Sequence, residues 1–528
     1  MKEPSIETRM TDLNLTPRSL LLAAAVLSCV LTGCTVGPKY HPPTTQAPPA
    51  YKESPANVPQ KSPVPPATTS TDPTLGGLGD WTVAQPQDAS LRGKWWEIYG
   101  DPELNALEEQ LNINNQNIKQ FFENFMAARA IVRQAHAQLF PTVSAGPSWT
   151  RSRSSSNISN TGAPGATSTF IDLPAAVSWE PDLWGKIRNT IRQAQYSAQV
   201  SAADLENERL TEQASLATFF FQLRGQDALQ QILDATVVAD QKSLELARAQ
   251  YETGLSDQIA VVQAQTTLQS AQSLATNLGI ARAQYEHAIA TLIGKAASDF
   301  SIPAKPLLTT PPPILVGLPS QLLERRPDIA AAERTMAATN AQIGIAYAAF
   351  YPNLTLSGTG GFESSTWKHL FDGPSRIWSV GPSVSETIFD AGLRRATIHQ
   401  YVATYNANLA SYRQTVLTAF QQVEDALATL RILTQQIQQQ HQAVESARVA
   451  LDLETKRYEA GLDPYINVVT EQNILLSAQQ ILAQIEIQRA TASVQLIVAL
   501  GGGWDSSRLP TPKQVSAKPE KADTALQQ

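Results

Sequence analysis

Cysteine is nearly absent from this chain, with only Cys29 and Cys34 among 528 residues. A disulfide-stapled fold is therefore excluded, and stability must come from packing and assembly. Charged residues make up only 16% and aromatics 7%; Ala, Gln, Ser and Thr fill the difference, a mixture that suits polar-lined helices better than an enzyme core. With a formal charge of -7 the chain lacks the basic face that a nucleic-acid partner demands. His41, His136, His287, His369, His399 and His441 show no metal spacing such as His-Glu-x-x-His. Gly358-Thr359-Gly360-Gly361 is flanked by alternating residues and followed by no helix start with Lys, so it is not a phosphate loop. No nucleophile and base fall into a catalytic arrangement, and no cofactor or metal is expected.

Long hydrophobic runs are also missing, apart from residues 20–27 behind Arg18. That run is too short to cross a bilayer as a helix and has the form of a secretory leader. It closes on Leu31-Thr32-Gly33-Cys34, which resembles the bacterial lipobox. Residues 1–33 are thus expected to be a signal peptide, with Cys34 acylated as the first mature residue. By the same resemblance, Thr35 in place of Asp permits sorting to the outer membrane. Residues 34–94, dense in Pro between 38 and 73, read as an extended tether or a strap along the body. The folded part opens at Lys94-Trp95-Trp96-Glu97-Ile98-Tyr99-Gly100-Asp101-Pro102-Glu103-Leu104. Residues 505–528 read as a disordered tail.

What is present is one plan written twice. Tyr251-Glu252-Thr253-Gly254-Leu255, with Ile259, Val261-Val262 and Gln265, matches Tyr458-Glu459-Ala460-Gly461-Leu462, with Ile466, Val468-Val469 and Gln472, without a gap. Gly294 answers Gly501, and Leu139-Phe140-Pro141-Thr142-Val143 answers Phe350-Tyr351-Pro352-Asn353-Leu354. The repeat units are taken as 95–303 and 304–504.

Within each unit the apolar period changes from two to about three and a half, so strands precede long helices. Strands are predicted over 142–151 and 170–179, then over 354–362 and 378–388, each pair joined by a polar loop. Four strands with an apolar outer face cannot close a membrane barrel, which needs about eight or more, so the barrel must be shared between copies. Trp149, Trp179 and Trp378 suit an interfacial girdle. No Pro occurs between Pro181 and Pro303 or between Pro382 and Pro464. A helix from Lys186 to Gln250 would be roughly 100 Å long. Leu430, Leu433, Ile437, Val444, Ala447 and Leu451 form a coiled-coil seam, and Gly254 and Gly461 mark where hairpins fold back. Pro327 and Asp328 in Leu322-Leu323-Glu324-Arg325-Arg326-Pro327-Asp328-Ile329 read as a helix start, not a catalytic cluster.

That block, the stretch Gly33-Cys34-Thr35-Val36-Gly37-Pro38-Lys39-Tyr40 and the Trp95-Trp96 block resemble the TolC and OprM family of outer-membrane factors, in its lipoprotein, NodT-type branch. The resemblance covers nearly everything from Cys34 to about Trp504. It implies an α+β membrane protein: a homotrimer whose four strands per copy make a twelve-stranded β-barrel in the outer membrane, continuous with a helical coiled-coil tunnel in the periplasm. It further implies a mixed equatorial belt, a periplasmic adaptor and an inner-membrane RND-type pump as partners, and an exit duct for drugs or other toxic compounds. Tyr251, Gly254 and Leu255, with Tyr458, Gly461 and Leu462, are then the tips that meet the adaptor.

Relatives often place Asp residues at the narrowest point after the second tip. The matching positions here hold Asn467 and Thr470, so closure is assigned to Ile466 with hydrogen-bonding support from Asn467 and Thr470, and Asp463 and Glu471 nearby. A lipid-anchored adaptor is the alternative reading, but adaptors resemble a single hairpin between β-domains. A lipid-anchored hydrolase lacks any catalytic group.

Overall fold

The computed structural model describes residues 35–43, 47–48, 51–53, 93–155, 167–306, 311–312, 314 and 322–517. The leader, the lipobox and Cys34 lie outside them.

Two capped helices open the body. In α1 (Pro102–Asn114) the Asp101 carboxylate accepts from the Glu103 and Leu104 N–H groups, and Pro102 begins the helix, where its missing N–H costs nothing. In α2 (Gln116–Ala137) the Asn115 side chain accepts from Ile118 N–H. The short strands β1 (Thr142–Ala145) and β2 (Ser148–Arg153) follow, then β3 (Thr167–Trp179) and the long helices α3 (Lys186–Glu252) and α4 (Gln258–Leu292). After a turn of helix, α5 (Leu322–Arg325), come α6 (Pro327–Ala348), β4 (Asn353–Ser364), β5 (Arg376–Ser385), α7 (Leu393–Glu459) and α8 (Tyr465–Ala499). As expected, Pro327 starts α6; Asp328 stays on its first turn and pairs with Arg326, Nη2 to Oδ2 at 2.7 Å.

Helices α3 and α7 have 67 residues each, and α4 and α8 have 35 each. At about 1.5 Å per residue the longer pair spans roughly 100 Å. Each long helix packs on its shorter successor, and α3 also packs on α6 and α8.

All four end alike. Gly254, Gly294, Gly461 and Gly501 have positive φ, and Leu255 N–H, for example, donates back to Gln250 O at 2.8 Å while Gly254 N–H donates to Tyr251 O at 3.0 Å. This six-to-one and five-to-two pair satisfies carbonyls that a helix end would otherwise leave bare.

The Trp95 block anchors a buried core between the helices. Trp95, Trp96, Tyr99, Leu104 and Leu111 pack with Phe220, Phe221, Val494 and Ile497. Trp95 Nε1 donates to Gln213 Oε1 at 3.2 Å, and the Tyr99 hydroxyl pairs with Ser493 Oγ at 2.8 Å. Below it, buried Asp227 accepts from Arg224 Nη1 at 3.1 Å, Arg282 Nε at 2.7 Å and Lys305 N at 2.9 Å, tying the segment after α4 to both helices of the hairpin. Such a network is strongly destabilised when one partner is removed, because the charges left behind are buried.

The described residues of the N-terminal segment, 35–43, 47–48 and 51–53, touch the body. Val36 N donates to Trp184 O at 3.1 Å, Asn340 Nδ2 donates to Pro38 O at 3.1 Å, and Arg431 Nη2 contacts Glu53 Oε2 at 2.6 Å.

The expected disordered tail is corrected over part of its length. Residues as far as Ala517 are folded, through α9 (Pro512–Ser516), with Val515 fully buried against Ile187, Ile191 and Val132. Thr511 and Gln514 form a reciprocal capping box, Gln199 Nε2 donates to Pro510 O at 2.8 Å and Arg129 Nη2 donates to Ala517 O at 3.0 Å. A Pro-rich stretch folds here because one apolar side chain enters a groove and its backbone carbonyls find buried donors.

Candidate functional site

The sheet is an antiparallel meander, with β1 and β2 both paired to β3, then β4, then β5. Its first strand is split at Gly146 and Pro147, since Pro cannot donate to the ladder, yet the register runs straight through from Ala145↔Ala175 to Ser148↔Asp172. The observed strands are Thr167–Trp179, Asn353–Ser364 and Arg376–Ser385 for the second to fourth expected, so Thr387 and Ile388 fall beyond the last.

Register sorts the side chains into two faces. One row across the sheet is Val143, Val177, Gly358 and Val380, and the next is Ala145, Ala175, Gly360 and Trp378. The alternate rows are Ser144, Ala176, Thr359 and Ser379, and Thr142, Ser178, Ser357 and Gly381. One face is apolar and the other polar. Much of the apolar face is bare, with Trp378 81% and Trp149 56% exposed, while Ile171 is buried and Phe362 packs on Phe371 at 5.4 Å between ring centroids. Trp179, at the helical end of that face, is half-buried and donates from Nε1 to Leu139 O at 2.9 Å. Both outer edges of the meander, on β1 and β2 and on β5, are unpaired among the described residues. Among the described residues no helix is long and apolar enough to cross a membrane. Open edges do not persist in hydrocarbon, because backbone groups there have no water to bond.

At the far end of the helices, the tips carry Leu255 at 81% and Leu462 at 69% exposure. An added Cβ at Gly254 or Gly461 would meet nothing within 4 Å. Tyr251 is also exposed, but Tyr458 is not, and its assignment to the docking surface is corrected. Its ring packs on Tyr465 with centroids 5.1 Å apart, among Leu244, Ala260 and Leu268. In the first copy the position of Tyr465 is Gln258, which offers no such partner, so Tyr251 stays outside.

The four gate residues also separate. Ile466 and Asn467 are exposed on α8. Thr470 is exposed too, and its hydroxyl donates to Ile466 O at 2.8 Å within its own helix, which leaves its oxygen able only to accept. Asp463 is held by Arg457 through both carboxylate oxygens, one contact being Nη2 to Oδ1 at 3.2 Å. That guanidinium keeps the Asp463 carboxyl below the usual carboxylate range, and its charge is matched within the turn.

Asp240 is a residue that sequence reasoning passed over. It is 2% exposed on α3, near Tyr465, where Gln472 of α8 donates from Nε2 to Ser243 Oγ at 3.1 Å. Burial pushes its carboxyl up to about 6. A raised carboxylate value means folding favours the protonated form, so this contribution is full below about pH 4 and lost as pH rises through about 6. Denaturant midpoints should therefore be higher at pH 5 than at pH 7.5. Asp240→Asn should reduce the difference between the two pH values by on the order of 1 kcal/mol per copy. An unchanged slope in the variant would assign the pH dependence elsewhere.

A model of the outer membrane efflux protein family matches residues 107–295 and 318–502. The probable efflux pump outer membrane protein TtgC of Pseudomonas putida is 31% identical over 489 residues, covering 92% of this chain and 96% of TtgC. Among solved structures, the outer-membrane channel OprN matches with a TM-score of 0.77 at 28% identity, covering 89% of this chain and 100% of that one. The outer membrane protein VceC of Vibrio cholerae gives 0.71 at 27% identity, covering 78% and 99%. With a membrane-suited sheet at one end and long helical hairpins at the other, the chain belongs to the outer membrane efflux protein family and is an outer-membrane efflux channel with a periplasmic extension.

Proposed function

We infer that three copies close the sheet into a twelve-stranded barrel, with their helical hairpins forming a tunnel beneath it, and that the chain is a duplicated unit with halves at 95–303 and 304–504. The equal helix lengths and matching glycine ends support the duplication. The observation that carries the barrel is a sheet with one apolar face and two unpaired edges. In this reading the duct is passive, Cys34 carries an acyl anchor in the outer membrane, and the tips at Gly254 and Gly461 receive a periplasmic adaptor bound to an inner-membrane RND-type pump. Its cargo is small toxic molecules, in keeping with relatives named as antibiotic, solvent and toluene efflux proteins.

The resting gate is apolar. Ile466 projects from α8 beside a carboxylate already neutralised by Arg457, and an apolar constriction blocks ions by dewetting without any charge. Planar-bilayer recordings of the purified channel test this. Conductance should respond weakly to divalent cations on the periplasmic side, and Ile466→Ser should raise the open fraction and admit large antibiotics. Strong block by low concentrations of a divalent cation would mean that a carboxylate ring, of Asp463 or Glu471, governs closure.

A further inference from the structure

The apolar face of the sheet ends in cations. Arg151 and Arg153 follow Trp149 at alternate positions of β2, and the register Trp149↔Ile171, Arg151↔Thr169, Arg153↔Thr167 keeps all three on one face. Arg376 pairs with Phe362, which pairs with Leu173, two residues along β3 from Ile171, so it shares that face. Each of the three is exposed. None has a carboxylate partner among the described residues: Asp172 and Glu363 oppose each other on the polar face, and Asp372 is held by His369 at 2.8 Å. The connection after β2, residues 154–166, contains no Asp or Glu in its sequence.

They also lie at the same end of the sheet. Arg153 ends β2 and Arg376 begins β5, both at the end of the sheet remote from the helices. The two strands are staggered, since Arg376 lies level through Phe362 and Leu173 with Pro147 and not with Arg153. Such a stagger is what tilted strands in a barrel require for equal height in the membrane. Moreover, β2 and β5 are the edge strands. When copies join edge to edge, Arg151 and Arg153 of one copy and Arg376 of the next meet at the same seam.

We propose that these three arginines form, at every seam, a binding site for the phosphorylated glycolipid of the outer leaflet, a proposal that rests on the closed trimeric barrel. A lipid-facing Arg costs about 2–4 kcal/mol at the bilayer midplane but only about 0–1 near the interface, so this rim is where such residues are tolerated. Guanidinium groups grip phosphate through paired N–H bonds, which a lysine ammonium does less specifically. Just below them Trp149 and Trp378 present flat apolar surface to acyl chains. A phosphate head above and acyl chains below match a lipid, and a free phosphate would leave the apolar half unused.

The test uses the intact purified trimer, with purified bisphosphorylated lipid A as probe and its dephosphorylated form and phosphatidylglycerol as comparisons. Native mass spectrometry reads bound lipid, and the temperature of trimer dissociation reads its effect. Wild type should retain lipid A and dissociate at higher temperature in its presence. Arg151→Gln/Arg153→Gln/Arg376→Gln should remain trimeric yet bind about tenfold less, a loss of about 1.4 kcal/mol, and the corresponding triple Lys variant should recover part of it. A wild-type trimer that binds dephosphorylated lipid or phosphatidylglycerol equally well, or a Gln variant that binds as wild type does, would overturn the site and leave the barrel standing. A protein that inserts without forming trimers would overturn both.

Discussion

Cells carrying Gly254→Phe together with Gly461→Phe are expected to lose efflux while keeping folded channels in the outer membrane. Both glycines sit in the left-handed region at φ 75 and 69, and neither has an atom within 4 Å of an added Cβ. Substitution therefore costs only backbone strain, about 1–2 kcal/mol at each site, spent locally in an exposed turn. A partner that docks on Leu255 and Leu462 would meet two large rings where backbone was open. Minimum inhibitory concentrations of exported compounds should fall about tenfold or more, as expected when docking weakens by about 1.4 kcal/mol. Trimer bands on unheated gels should be unchanged. Full resistance in the double variant would remove the tips from the docking surface, and loss of the trimer would make these glycines structural caps alone.

Gly501→Ala should fail in the opposite way. The residue ends α8 with the same pair of hydrogen bonds as Gly461, at φ +94, but an added Cβ would lie 2.0 Å from Arg325 O. Its neighbour Arg326 reaches back to Ala499 O at 3.1 Å, so the end of α8 and the start of α6 are locked face to face. Neither backbone can yield without breaking that clasp. A cost of about 4 kcal/mol or more is expected, the range that marks a named steric cause. The measurement is the amount of protein in outer-membrane fractions and its denaturant midpoint, beside Gly461→Ala as the tolerant control. Wild-type abundance and midpoint for Gly501→Ala would show that the contact relaxes freely.

Much of this was readable from the residues because the two periods are strong. Alternation placed the strands within a few residues, and the absence of Pro gave the length of the long helices before any contact was known. The tyrosines of the two tips were not separable in that way. Tyr251 and Tyr458 share a motif, and what divides them is a distant choice of Gln258 or Tyr465 that matters only once α8 packs on α3. Asp240 gives no signal, since a lone carboxylate on a helix reads as solvated until a second helix covers it. The capping box at Thr511 and Gln514 was legible in principle. Its weakness was length, because so short a helix orders only through the groove that receives Val515.

The two unpaired edges of the sheet have a kinetic meaning. In the proposed barrel no single chain completes its own hydrogen-bonded ring, so entry into the membrane becomes a reaction between chains, and its rate should depend steeply on their local concentration. Dilution should slow insertion far more than it slows folding of the helical hairpins, whose partners lie on the same chain. Until the encounter occurs, each free edge is an open template for any passing strand. A cell making little of this protein would hold helix-folded, uninserted chains for longer, and would depend on periplasmic chaperones to keep those edges apart.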